Sequence, residues 1–404
     1  MAVCLVGTFD TKGAEFQYVK NQIESNGLRT ICVNTGIIGE PTFQPDITSE
    51  EVARAAGMGL SALRQEADRG HSVTAMAKGA GAIVSNLFQH GKINGILSLG
   101  GSAGTTIGTT AMQALPVGIP KVMVSTLASG DTSPYVQTKD ITMVYSVVDI
   151  AGINSITRQI LTNAAGAISG MVQAVSEPVK EKPLIAATMF GVTTPCVTKA
   201  RKILEAAGYE VLVFHATGSG GKAMEDLIGG GFITGVLDVT TTELADELVG
   251  GVLSAGPDRL EAAGSNSIPQ VIAPGALDMV NFGPRDTIPE RFKNRQFYQH
   301  NANVTLMRTT AEENAQLGQI MAQKLLLAQG PTRVLIPKNG VSAIDKTDQP
   351  FYSPEAETAW IDSLKSGLDG SDVEVIEMDN HINDEAFGEK LAQTLLNLLP
   401  DQGW

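Results

Sequence analysis

The sequence predicts an α/β chain of two Rossmann-like three-layer domains with mainly parallel sheets. Three observations lead there. The chain has 404 residues, more than one average core fills. Short apolar runs alternate with segments of helical periodicity from the first residue, the pattern of a parallel sheet covered by helices on both faces. The alternation breaks at Ser176–Pro183, which reads SEPVKEKP, and then restarts, so we divide the chain into domains 1–178 and 184–404.

In the first half, Ala2–Gly7 reads as a buried strand. Gly13–Asn26 follows as a helix, with Phe16, Val19 and Ile23 on one face. Strands are expected at Arg29–Val33, Gly95–Leu99, Pro120–Ser125 and Ile141–Ser146. Helices are expected from Ser49 to about Gly57 and over Gly70–His90, Gly104–Ala114 and Asn154–Val175. The last is rich in small residues (Ala164, Ala165, Gly166, Ala167, Gly170), which permits close helix approach between domains or across a homodimer. In the second half, strands are expected at Leu184–Met189, Glu210–His215, Phe232–Val239, Pro269–Ala273, Thr332–Pro337 and Asp372–Met378. Helices are expected at Thr194–Ala207, Gly221–Gly229, Thr242–Val249, Ala311–Gln329 and Asn383–Leu399.

Charge and composition exclude several classes. With 29 basic against 43 acidic residues, and no Lys/Arg cluster, the chain lacks the surface that coats a nucleic-acid backbone. The N-terminus has no basic region followed by an apolar stretch, and no window approaches 18 apolar residues, so we expect a cytoplasmic protein without a membrane span. Three cysteines without a CxxC spacing point to neither a disulfide framework nor a zinc site. Cys4 and Cys32 fall in expected buried strands. Cys196 falls at a helix start, where a thiolate would be favoured, but no base stands nearby in sequence.

Two glycine-bearing turns stand at expected strand ends, Gly7–Gly13 (GTFDTKG) and Gly100–Thr106 (GSAGTT after Gly100). In an open parallel sheet, ligands sit beyond the carboxyl ends of the strands. A helix N-terminus there offers unpaired N–H groups and partial positive charge. Lys12 can neutralise a phosphate, and Asp10 can take Mg²⁺ or a ribose hydroxyl. Neither turn is a Walker A loop, and spacing alone serves a plain helix cap on Asp10 or Thr11 equally well.

A series of longer motifs adds to this: GTFDTKG, VNTG at 33–36, DRGHSVTAM at 68–76, LGGSAGTT at 99–106, GIPKVMVSTLASGDTSPYV at 118–136 and SVVDIAGIN at 146–154. Together they resemble the Tm-one-like ATP-binding domain family. Its members are mostly uncharacterised bacterial and fungal proteins related to the N-terminal inhibitory domain of the tomato mosaic virus resistance protein. The resemblance spans essentially the whole chain. It implies an ATP site in the N-terminal domain, with contacts on Asp10, Thr11, Lys12, Thr35, Arg69, Gly101, Ser102, Ala103 and Gly104; phosphoryl transfer from that ATP would need Mg²⁺ as companion ion. Ala103 stands where the plant relative has Gly, a change that keeps the backbone donor. The resemblance also implies a homodimer.

The second half carries weaker signals. Gly218-x-Gly220-x-x-Ala223 with Asp238 on the next strand fits a loose dinucleotide fingerprint, but not on the first strand of its domain, so a second anion or carboxylate pocket is the better reading. Polar residues gather at other expected strand ends, among them Asp278, Asn281, Arg308, Asp379 and Asp384, the last with Asn383 as an expected cap of the final helix. His215, Asp238 and His381 are the candidates for acid–base chemistry, and no metal-ligand spacing accompanies them. The expected function is ATP binding, with ATP used by an enzyme on a small metabolite in the interdomain cleft. The alternative is a nucleotide-binding module without turnover that recruits a protein partner. A metal-independent sugar or acid enzyme is a weaker third reading.

Overall fold

A computed structural model describes residues 1–175 and 182–400. The linker expected at Ser176–Pro183 lies mostly outside the described residues. The chain separates into two compact units, Met1–Pro178 and Val179–Trp404.

The first unit runs β1 (Ala2–Gly7), α1 (Gly13–Ser25), β2 (Arg29–Asn34), α2 (Ser49–Ala55), α3 (Leu60–Glu66), α4 (Arg69–Gln89), β3 (Gly95–Gly100), α5 (Ser102–Gln113), β4 (Lys121–Ser125), α6 (Ser133–Val136), β5 (Thr142–Tyr145) and α7 (Ser155–Gln173). Its five strands pair in the order β2-β1-β3-β4-β5, all parallel. Alternation along β1 divides the core. Cys4 and Val6 face a layer built with α2, α4 and α5, while Val3 and Leu5 face the layer of α1 and α7. Burial on both faces is why these strands read as unbroken apolar runs.

The second unit runs β6 (Leu184–Met189), α8 (Thr194–Ala206), β7 (Glu210–His215), α9 (Ser219–Gly229), β8 (Ile233–Thr240), α10 (Thr242–Val249), α11 (Ala262–Ser265), β9 (Gln270–Gly275), β10 (Met279–Phe282), β11 (Phe297–Asn301), β12 (Val304–Arg308), α12 (Ala311–Leu325), β13 (Thr332–Pro337), α13 (Pro354–Gly367), β14 (Glu374–Met378) and α14 (Glu385–Leu398). Six strands form a parallel sheet in the order β14-β13-β9-β8-β6-β7. A separate antiparallel sheet, β10-β12-β11, is inserted between β9 and β13 in the chain.

The two-domain, mainly parallel α/β class is as expected. The expected elements are present, and the largest shift of an end is at α12, expected to reach Gln329 and ending at Leu325. The antiparallel sheet, α3 and α13 were not foreseen. All three cysteines are buried and free. Burial pushes the Cys196 thiol up to about 12, so its place near a helix start does not yield a thiolate.

Candidate functional site

In a parallel sheet ordered β2-β1-β3-β4-β5, the direction in which strands are added reverses between β1 and β3, and the loops leaving those strands splay apart at their carboxyl ends. A cavity of about 800 Å³ opens there, within the range of small-molecule sites. Thr8, Asp10, Thr11 and Lys12 enter it from the β1–α1 turn, Thr35, Ile37 and Ile38 from the loop after β2, and Gly101–Gly104 from the β3–α5 turn. The helical segment α3–α4 supplies Leu63, Arg64, Asp68, Arg69, Val73 and Met76. All nine residues that the family resemblance marks for nucleotide contact therefore line one cavity.

The polar end is built from helix starts. The N-cap of α1 is Lys12 and that of α5 is Gly101, and neither helix has a side-chain cap. The side-chain cap on Asp10 or Thr11 that spacing alone allowed is therefore not formed, and the Thr11 hydroxyl donates to Thr8 Oγ1 at 2.8 Å. Instead Asp10 Oδ2 accepts from the Ile38 and Gly39 amides at 2.9 and 3.1 Å, tying the β1 turn to the loop after β2. Asn34 Oδ1 adds a second tie, accepting from Phe9 N and Gly36 N at 3.1 and 2.9 Å. Gly36 is required here, since a Cβ would fall 2.3 Å from Asp10 Oδ1. Gly100 is required too, since its Cβ would lie 2.8 Å from Gly104 Cα in the tight entry to α5.

Two polar atoms of this cavity are buried without a hydrogen-bond partner, Asp10 Oδ1 and Thr35 Oγ1. Thr35 is only 2% exposed. Buried polar atoms are normally paired, so these two stand out among the residues lining the cavity. The Lys12 ammonium donates to the Ile150 carbonyl, so it reaches the cavity wall already anchored. Arg69 is exposed and makes no hydrogen bond or ion pair among the described residues, leaving its donor fork unoccupied. Arg64, Thr8 and the apolar wall of Ile37, Ile38, Leu63, Val73 and Met76 were not foreseen. The wall residues read in sequence as ordinary core, and Arg64 stands on a helix that went unread.

The second unit does not gather its candidates. His215 ends β7 at one edge of the sheet and is exposed. His381 follows β14 and bonds beside β13, four strand spacings away, or roughly 20 Å. Its Nε2 pairs with the Ser342 carbonyl at 2.8 Å, and its Nδ1 accepts from Asn383 N at 3.1 Å, so both ring nitrogens are spent on loop structure. Asp238 is buried against Arg259 and takes a hydroxyl bond from Thr188 at 2.6 Å. The three do not form a catalytic group. Asp384 likewise does not cap α14 with its side chain, which accepts from His381 N instead.

The glycine loop of the second unit is filled from within. Gly218 N and Gly221 N donate to Glu243 Oε1 at 2.7 and 3.1 Å, and Arg259 Nε donates to Glu243 Oε2 at 2.7 Å. The expected second anion pocket is corrected to an internal one: its carboxylate belongs to the protein. Among the described residues no group of three or more His, Cys, Asp or Glu side chains is placed to hold a metal ion, and no helix is long and apolar enough to cross a membrane.

The fold thus defines a protein of two α/β units, each built on a parallel sheet, with a cavity at the switch point of the first. Comparison with known proteins is consistent and more specific. Residues 1–177 match the N-terminal domain and residues 182–399 the C-terminal domain of the uncharacterised protein family UPF0261, and the chain belongs to that family. It is 56% identical over 398 residues to a UPF0261 protein of Clostridium tetani, covering 98% of both chains. It is 40% identical to the ToMV resistance protein Tm-1(GCR237) of Solanum lycopersicum, covering 98% of this chain and 56% of that protein. This chain thus spans about half the length of the tomato relative. The UDP-N-acetylglucosamine 2-epimerase structure from Rickettsia bellii shares 11% identity over 67% of this chain and 78% of that one, with a TM-score of 0.23.

Proposed function

We propose that this protein binds ATP in the switch-point cavity of its first unit. The observation that carries the reading is the convergence there of two uncapped helix starts, the Lys12 ammonium and one unpaired arginine. The unpaired N–H groups at the start of α5 suit phosphate oxygens, with Lys12 and Arg69 adding positive charge. The hydroxyls of Thr8, Thr11 and Ser102 along the same rim would hold a Mg²⁺ accompanying the triphosphate, which would supply charge neutralisation. The apolar wall of Ile38, Leu63, Val73 and Met76 suits a base.

In the fuller reading, ATP is consumed by an enzyme reaction on a small metabolite. The engagement of Asp238 and His381 in internal bonds favours the second reading, a nucleotide-binding module that recruits a protein partner without turnover. ATP consumption that starts only when one small molecule is added separates the two.

The binding test is calorimetric titration of MgATP into wild type, Lys12→Ala and Arg69→Ala. Loss of a charged hydrogen-bond donor is expected to weaken binding about 10- to 100-fold in each. Arg69→Ala is the cleaner variant, because Lys12 also anchors the Ile150 carbonyl. Absence of binding by wild type ends the proposal.

We also propose a homodimer in the cytoplasm. On α7, Ala164, Ala165 and Ile168 are buried in the unit, while Gly166 and Gly170 face open space one turn apart. Light scattering at micromolar concentration is expected to give twice the 42.4 kDa chain mass. A monomer under those conditions rules the dimer out.

A further inference from the structure

We propose that the Gly218–Gly221 loop and Arg259 form a binding site for a small monocarboxylate, which Glu243 occupies as a tethered ligand and so closes to free anions. The site lies in the second unit and is independent of the nucleotide reading of the first.

Two helix starts meet there. The N-cap of α9 is Gly218 and that of α10 is Thr241, and neither helix is capped by its own N-cap side chain. Unpaired amides at such a start favour an anion. Arg259 adds a full charge from a third segment of the chain, and its side chain is buried as completely as that of Glu243. From the first turn of α10, the Glu243 carboxylate takes all three donors: Gly218 N and Gly221 N on Oε1, and Arg259 Nε on Oε2. The loop is shaped for that approach. Gly218 holds φ at +83°, and a Cβ on Gly221 would fall 2.1 Å from Glu243 Oε2.

The donors keep their places without the tether. The other Arg259 nitrogens donate to both Asp238 oxygens at 2.5 and 2.7 Å and to Glu225 at 3.3 Å, which fixes the direction of Nε. Lys222 N donates to the Gly218 carbonyl at 3.1 Å, which holds the first turn of α9. Donors ordered in advance bind a ligand without a further ordering cost. Ligand size follows from the tether. Glu243→Ala removes Cγ and the carboxylate, which are the heavy atoms of acetate. Glu243→Gly removes Cβ as well, and the missing atoms are then those of propionate.

The experiment is urea unfolding of the full chain at neutral pH, read by Trp360 emission, in acetate, propionate or chloride at equal ionic strength. Acetate is expected to raise the folding equilibrium constant of Glu243→Ala over its value in chloride, by about tenfold at ten times the acetate dissociation constant. Propionate is expected to surpass acetate in Glu243→Gly and not in Glu243→Ala. Wild type and Glu243→Gln, whose side chains fill the site, are expected to respond alike to all three anions. If Glu243→Ala does not fold in chloride, recovery of the native emission in acetate is the supporting result. An acetate gain as large in wild type or in Glu243→Gln overturns the inference in favour of an ion effect elsewhere. The same order of acetate and propionate in the alanine and glycine variants overturns it too. So does a Glu243→Ala variant, folded or unfolded, that behaves identically in acetate and chloride.

Discussion

Arg259→Leu is expected to destabilise the second unit by about 3–5 kcal/mol at pH 8. Arg259 is 1% exposed and is the only cation within ion-pair distance of Asp238, Glu243 or Glu225 among the described residues. Its guanidinium donates to both Asp238 oxygens at 2.5 and 2.7 Å and to Glu243 at 2.7 Å. Burial already pushes the Glu225 and Glu243 carboxyls up. Removing the one cation leaves these carboxylates uncompensated, which costs far more than a surface pair is worth. Tryptophan emission reads this unit, since the first unit has no tryptophan and Trp360 is buried on α13. The deficit in urea unfolding should shrink as pH falls and the carboxylates take up protons. Arg259→Lys, which keeps charge but not the planar fork, is expected to fall between. A leucine variant as stable as wild type at pH 8 would show that the network is neutral in the folded state.

That network also distinguishes the switch points of the two sheets. In the second unit the reversal of strand order falls between β6 and β8. Thr188 of β6 and Asp238 of β8 meet there, and Glu243 occupies the glycine-loop amides that a ligand anion would need. Self-supplied charge fills one switch point, while the other stays open.

The parallel sheets were legible because strands buried on both faces leave continuous apolar runs, as in Leu184–Met189 and Thr332–Pro337, whose expected and observed ends coincide. The antiparallel sheet was not. β10 has only four residues and β11 is the half-polar FYQHN, so neither shows a clear period. Helix α13 did carry a start signal, Ser353 followed by Pro354, which was missed. The cavity's polar rim was legible because glycines at strand ends mark close backbone approach. Its apolar wall was not, because a leucine on a helix reads the same whether it faces a core or a ligand. The filling of the Gly218 loop by Glu243 joins residues 25 positions apart on different elements, and no local pattern encodes it.

The pH dependence of stability should be dominated by a second buried cluster, and Glu357→Gln should flatten it. Asp278, Asp345 and Glu357 surround a void of about 10 Å³ together with Arg308 and Trp360. With all three ionised, Asp278 Oδ1, Asp345 Oδ1 and Glu357 Oε1 have no hydrogen-bond donor, and Arg308 reaches only to 3.7 Å from Asp345. A proton on Glu357 converts it into a donor toward Asp345. Burial first, and the Asp345 charge second, push Glu357 up to about 9; burial and Asp345 likewise push Asp278 up to about 7. The folded chain thus holds protons that the unfolded chain gives up near pH 4.5. The contribution of Glu357 is full below that pH and is lost as pH rises toward about 9. Each retained proton contributes a slope of at most about 1.4 kcal/mol per pH unit. Glutamine supplies the same donor without titrating, so the variant should overtake wild type at the alkaline end. Urea midpoints at several pH values, read by the emission of Trp360 on the same helix, measure both curves. Parallel curves for variant and wild type would mean that Glu357 is ionised in the folded protein and that the void holds its own compensating donor.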